Sequence, residues 1–151
     1  MQEKIQIISD GSLDLSRELT RERDILVVPF YVSFDGETYL KEGVELDIRE
    51  FYQRMVDHPD VFPKTSMPSV DDYYQVFLPL AKQDVPMICI CITTKFSGSM
   101  QSATTARNMI LEEYPKARIT VIDAEINTVL QGLYVLEACR LRELGWEYDR
   151  M

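Results

Sequence analysis

Residues 86–123 read PMICICITTKFSGSMQSATTARNMILEEYPKARITVID, and this stretch decides the fold class. Residues 86–93 form a short, nearly unbroken apolar run, 118–123 form a second, and 99–114 between them carry a helical period. An apolar run too short for a helix fits a strand covered on both faces, and strand, helix, strand in that order is the repeating unit of a parallel sheet. Working outward, strands are expected at 4–9 and 25–28, and helices at 13–23, 48–57, 70–82 and 128–144. The expected fold is therefore α/β, a mostly parallel central sheet with right-handed crossovers placing helices on both faces.

One segment breaks the alternation. Residues 30–40, FYVSFDGETYL, alternate apolar and polar side chains around Asp35-Gly36, which predicts a β-hairpin projecting from the main sheet, because Gly supplies the positive φ of a tight turn at little cost. Near the other end, Gly145 stops the last helix, and a few polar and aromatic residues follow, as in a chain cut where another element would begin.

The 151 residues, 46% of them hydrophobic, fit one domain with one core. Sixteen basic residues against 25 acidic ones give a net charge of −9, with the acids scattered along the chain. Nucleic acids and anionic membranes need clustered positive charge, so neither is an expected partner. No apolar run approaches the roughly 18 residues that span a bilayer, and the opening MQEKIQIISDGS lacks the pattern of a signal peptide, so a cytoplasmic location without membrane insertion is expected. Cys89, Cys91 and Cys139 lie in apolar or helical surroundings and read as reduced core thiols.

Ligands of open parallel sheets bind beyond the carboxyl ends of the strands, so the hydroxyl-rich loops there hold the candidate site. Ser9-Asp10-Gly11-Ser12 follows the first strand, Thr93-Thr94 leads into Phe96-Ser97-Gly98-Ser99 before a helix, and Thr65-Ser66-Met67-Pro68-Ser69 precedes another helix. Helix starts present unpaired N–H groups and the positive end of the dipole, to which a nearby hydroxyl adds a donor. Two such starts meeting at one rim would suit a small carboxylate. A polyphosphate fits less well, since there is no G-x-x-x-x-G-K or G-x-G-x-x-G motif, and Lys64 and Lys95 are the lysines beside these loops. Plain N-capping, at about 1 kcal/mol per cap, stands beside the ligand reading for each segment, and Asp72 after Ser69 completes a possible capping box. Met67 and Met100 fall within the loops and could flank an apolar ligand.

Catalytic and metal chemistry find little support. His58 is the one histidine and sits in a polar turn, no G-x-S-x-G elbow exists, and Cys89 and Cys91 lack a second metal-ligand pair. No metal and no cofactor are expected. An alternative reading is an α/β enzyme acting on a small phosphorylated or carboxylated metabolite with Ser97 as nucleophile, and a further one is an interaction module docking through the hairpin.

These segments, in this order, resemble the DegV family of bacterial fatty-acid-binding proteins. Ser9-Asp10-Gly11-Ser12-Leu13-Asp14-Leu15 is similar to the family's opening strand and loop, and Val28-Pro29-Phe30 through Phe34-Asp35-Gly36 and Tyr39, then Phe51-Tyr52, is similar to its hairpin and following helix. Lys64-Thr65-Ser66-Met67-Pro68-Ser69 resembles the signature K-T-S-x-P-S, Phe96-Ser97-Gly98-Ser99-Met100-Gln101-Ser102-Ala103 resembles L-S-G-T-Y-Q-S-A, and Val121-Ile122-Asp123 with Gln131-Gly132 is similar to a later motif. Gly11, Ala124 and Leu130 depart from the family's usual Ser, Ser and Gly.

The resemblance implies the amino-terminal α/β domain, residues 1–151, of a two-domain protein whose carboxyl-terminal domain is absent from this chain. It further implies a non-enzymatic lipid-binding protein that holds a long-chain fatty acid by its carboxylate and presents it to a separate fatty acid kinase, which makes an acyl phosphate for phospholipid synthesis. Carried over by motif, Thr65 and Ser97 contact the carboxylate, Ser66, Gly98 and Ser99 shape the loops, and Asp10, Ser12, Met67, Met100, Gln101 and Asp123 are supporting candidates.

Overall fold

The structure, a computed structural model, describes residues 4–151. Four parallel strands form the central sheet: β1 (Gln6–Asp10), β2 (Ile25–Val28), β6 (Met87–Cys91) and β7 (Ile119–Asp123), in spatial order β2-β1-β6-β7. Every residue of β1 and β6 is buried; β6 accordingly reads as a continuous apolar run, whereas β1 buries Gln6, Ser9 and Asp10 beside its isoleucines. Alternate side chains enter opposite layers. Ile8, Cys89 and Cys91 pack with Tyr73 and Phe77 of α3 (Val70–Ala81) and with Ala103, Ala106 and Ile110 of α4 (Ser99–Glu113). Ile7, Ile88 and Ile90 pack on the other face with Leu13 and with Val135 and Cys139 of α5 (Thr128–Glu143). All three cysteines are buried free thiols.

Between β2 and α3 the chain makes a second, antiparallel sheet of β3 (Tyr31–Ser33), β4 (Leu40–Lys41) and β5 (Lys64–Ser66), ordered β4-β3-β5, with α2 (Ile48–Asp57) inserted before β5. The expected hairpin is present, Tyr31 opposite Lys41 and Val32 opposite Leu40. Its turn is organised by Asp35, whose Oδ1 accepts from Ser33 Oγ and from the amides of Glu37 and Thr38 at 2.7–2.9 Å, while Gly36 takes φ +80°. Those bonds hold the Asp35 carboxyl well below its ordinary range.

Two features differ from the sequence reading. Thr65 and Ser66 lie in a strand paired with β3, Val32 facing Thr65 and Tyr31 facing Ser66, and not in a loop; the exposed triplet KTS has no apolar face to announce it. The first helix is shorter than expected, because a 3₁₀ turn (Gly11–Leu13) intervenes and α1 (Arg17–Glu22) starts only where Ser16 caps it by accepting the Leu19 amide.

The expected capping box is made: Ser69 Oγ accepts the Asp72 amide, and Asp72 Oδ2 accepts the Ser69 amide. Asp72 also meets Lys41 Nζ at 2.8 Å and the Tyr31 hydroxyl at 2.9 Å, so one carboxylate pins two strands of the small sheet to the start of α3. Burial raises its carboxyl, but the bonds from Lys41, Ser69 and Tyr31 outweigh that and hold it at about 2. A lowered folded value means stability present above the ordinary carboxylate range and lost as pH falls through the folded value. Urea unfolding of wild type and Asp72→Asn is expected to show a gap of about 2 kcal/mol near neutrality that closes between about pH 4 and 2; a gap independent of pH would disprove the latch.

Candidate functional site

The strand order reverses between β1 and β6, because β1 connects to β2 on one side and β6 to β7 on the other. Such a switch point leaves a crevice at the carboxyl ends of the two central strands. Asp10 ends β1 there, fully buried. Its Oδ2 accepts from the Ile92 amide (2.9 Å) and Ser99 Oγ (2.8 Å), and its Oδ1 from Gln131 Nε2 (2.9 Å) and the Ser12 amide (3.2 Å). Burial pushes its carboxyl up, and the four bonds pull the other way. Asp10 thus belongs to the sheet, one residue beyond the expected end of the first strand, and ties together the exit of β6, the start of α4, the turn after β1 and α5.

The second signature forms the start of α4. Gly98 is its N-cap, with no side-chain cap, so the first-turn amides of Ser99, Met100 and Gln101 lack intrahelical partners. The Ser99 amide donates to Ser97 Oγ at 3.2 Å, which leaves the proton of the half-buried Ser97 hydroxyl available to an incoming acceptor. The Ser99 hydroxyl is fully buried and engaged with Asp10, so what this residue offers the site is rigidity.

The first signature lies against the second. A Cβ built on Gly98 would stand 2.7 Å from Met67 Sδ, so the side chain two residues beyond Thr65 covers the helix start one residue beyond Ser97. A Cβ here would press on the end of the Met67 side chain, which is flexible and exposed enough to move aside. Thr65 and Ser66 are exposed, and Lys64 Nζ sits over the turn at Gly36.

The supporting candidates divide. Met67, 45% exposed, and Met100, packed at the edge of the α3–α4 core, flank the helix start. Asp123 accepts from the Thr94 hydroxyl (2.6 Å) and amide, which hold its carboxyl below the ordinary value, and so steadies the loop leading to Ser97. Ser12 Oγ accepts from the Thr128 amide, on the α5 side of the crevice. Gln101 is exposed and hydrogen-bonds within its own helix.

Two residues outside the expected site, Tyr73 and Gln131, also reach this network. Tyr73 OH lies 2.6 Å from Ser99 Oγ, and Gln131 joins Asp10 to Ser9, its Nε2 3.1 Å from Ser9 Oγ. The one sequence signal was Gln131-Gly132 in the last motif. A Cβ on Gly132 would fall 2.3 Å from the Leu13 carbonyl, so α5 crosses the turn after β1 at backbone contact.

Residues 4–150 match the family described as "Uncharacterised protein, DegV family". A DegV domain-containing protein of Caldanaerobacter subterraneus is 37% identical over 143 residues, covering 95% of this chain and 49% of that one. The structure of a stearic acid-binding protein of Eubacterium ventriosum, 47% identical, superposes with a TM-score of 0.94 over 97% of this chain and 50% of that one. The structure of DegV of Bacillus subtilis, described as a fatty acid binding protein, is 27% identical with a TM-score of 0.82, over 97% and 51%. The chain spans about half the length of the curated relatives it matches. Among the described residues, no helix is long and apolar enough to cross a membrane.

Proposed function

This chain belongs to the DegV family, and on that premise we propose that it binds a long-chain fatty acid, gripping the carboxylate through the hydroxyls of Thr65 and Ser97 and the amides beside Gly98. The observation that carries the reading is the contact of Met67 with Gly98, which brings the two hydroxyl-bearing segments together at the start of α4. A carboxylate there would meet two hydroxyls and the positive end of a helix of 15 residues. The stearic acid bound by the Eubacterium relative supports the choice of ligand.

The acyl tail supplies most of the affinity, since each buried methylene contributes about 0.8 kcal/mol. We assign its enclosure chiefly to the second half that the relatives carry, so tighter binding is expected when that half is joined to this chain. Thr65 is exposed and Ser97 half-buried, so a head group held between them faces outward. That suits presentation of the carboxylate to a separate fatty acid kinase, the role the family resemblance implies.

Stearate binding by wild type, Thr65→Ala, Ser97→Ala and the double variant tests the site. A hydrogen bond to a charged group is worth about 1.5–3 kcal/mol, so each hydroxyl lost is expected to weaken binding about tenfold to a hundredfold. A double variant that holds stearate as tightly as wild type rules the site out.

A further inference from the structure

We infer that Tyr73 and Asp10 are positioning residues for the head-group site, acting through Ser99 to fix the direction of the Ser97 hydroxyl. The inference rests on the carboxylate-binding reading above and specifies what makes that site rigid. Its basis is the sense of each hydrogen bond. An ionised carboxylate only accepts, so at 2.8 Å Ser99 Oγ donates to Asp10. The Tyr73 hydroxyl, 2.6 Å from the same oxygen, must then donate to Ser99. Cys91 Sγ lies 3.6 Å from the Tyr73 oxygen and Cys89 Sγ lies 3.8 Å from Cys91, so both thiols can point along the same line. The chain Cys89, Cys91, Tyr73, Ser99, Asp10 therefore runs one way, wholly within the core.

Ser99 is held from two sides, and turning its side chain would break both bonds. With the residue anchored by both bonds at the first position of α4, its backbone amide donates to Ser97 Oγ and occupies one lone pair of that oxygen. The Ser97 proton is thereby directed elsewhere. The relay also spans the two segments that make the site: Tyr73 lies four residues after the cap Ser69 on the helix that follows Thr65–Ser66, and Ser99 opens the helix that follows Ser97. Loss of the Tyr73 hydroxyl leaves the Ser99 side chain held by Asp10 alone and removes the bond that ties it to α3.

A purely structural network would add stability without discriminating between head groups, and this separates the two accounts. Octanoate and 1-octanol share a tail and differ in charge, and each can be titrated into the isotopically labelled chain while the Gly98 and Gln101 amide resonances are followed. Wild type is expected to prefer octanoate. Tyr73→Phe is expected to lower the octanoate-to-octanol affinity ratio about threefold to tenfold, with octanol binding changed by less than about twofold. Ser99→Ala is expected to act in the same direction, and Asp10→Asn too if it folds. An unchanged ratio in both Tyr73→Phe and Ser99→Ala, or an equal fall for both ligands, overturns the relay. No preference for octanoate in wild type instead defeats the head-group reading itself, and the relay falls with it.

Discussion

Gly132→Ala is expected to destabilise the chain by about 3 kcal/mol or more, measured by urea unfolding, although alanine is the better helix former by up to about 1 kcal/mol. The added methyl would stand 2.3 Å from the Leu13 carbonyl and 2.9 Å from Leu15 Cδ2. A leucine terminus can swing away, but a backbone oxygen moves only with its chain. Leu13 closes the 3₁₀ turn whose Ser12 amide is bound to Asp10, so retreat of the turn strains the buried carboxylate. Retreat of α5 is opposed as well, because Gln131, Val135 and Cys139 on the same face are wholly buried. Overpacking of this kind costs about 1–3 kcal/mol when side chains can adjust, and here the obstacle is main chain on one side and a fully packed helix on the other. A loss below about 1 kcal/mol would show that α5 can slide, and the backbone contact would lose its significance.

Gly132 also shows how far a sequence reading reaches. The central strands and the helices after residue 47 were legible because their signal is local: apolar runs at 86–93 and 118–123, and helical spacing in 70–82 and 128–144. The two hydroxyl signatures were likewise visible as motifs. What a local pattern could not reveal is that Lys64–Ser66 pairs with Tyr31–Ser33, since three exposed polar residues carry no period. Nor could it reveal that Tyr73 bonds a serine 26 residues on, or that Gln131 reaches back 121 residues to Asp10. A tyrosine in an apolar helix stripe reads as core, which Tyr73 also is. A glycine inside a helix reads only as a weak point. Its purpose appears when the turn it faces, about 120 positions earlier in the chain, is set against it.

Asp10→Ala is expected to cost about 3–5 kcal/mol, the larger of the two effects. Two opposing terms decide the size. The wild-type carboxylate is fully buried, so removing it relieves the desolvation that raises its carboxyl. Against this, four donors lose their acceptor at once. The Ser12 amide is near the half-exposed turn and can recruit water, and the Ser99 hydroxyl can turn to another acceptor. The Ile92 amide has no such recourse, Gln131 Nε2 keeps only Ser9 Oγ, and a buried donor left unpaired costs about 1–3 kcal/mol. Asp10→Asn should fall between, because it keeps one acceptor oxygen but turns an NH₂ group toward donors on the other side. Urea unfolding of the three proteins should therefore rank wild type, then asparagine, then alanine. If alanine proves as stable as wild type, water has replaced the carboxylate, and the crevice between β1 and β6 is wetter than its burial implies. If the ranking holds, the exits of β1 and β6, the start of α4 and the first turn of α5 are fastened at one point, and the head-group site inherits its shape from the core.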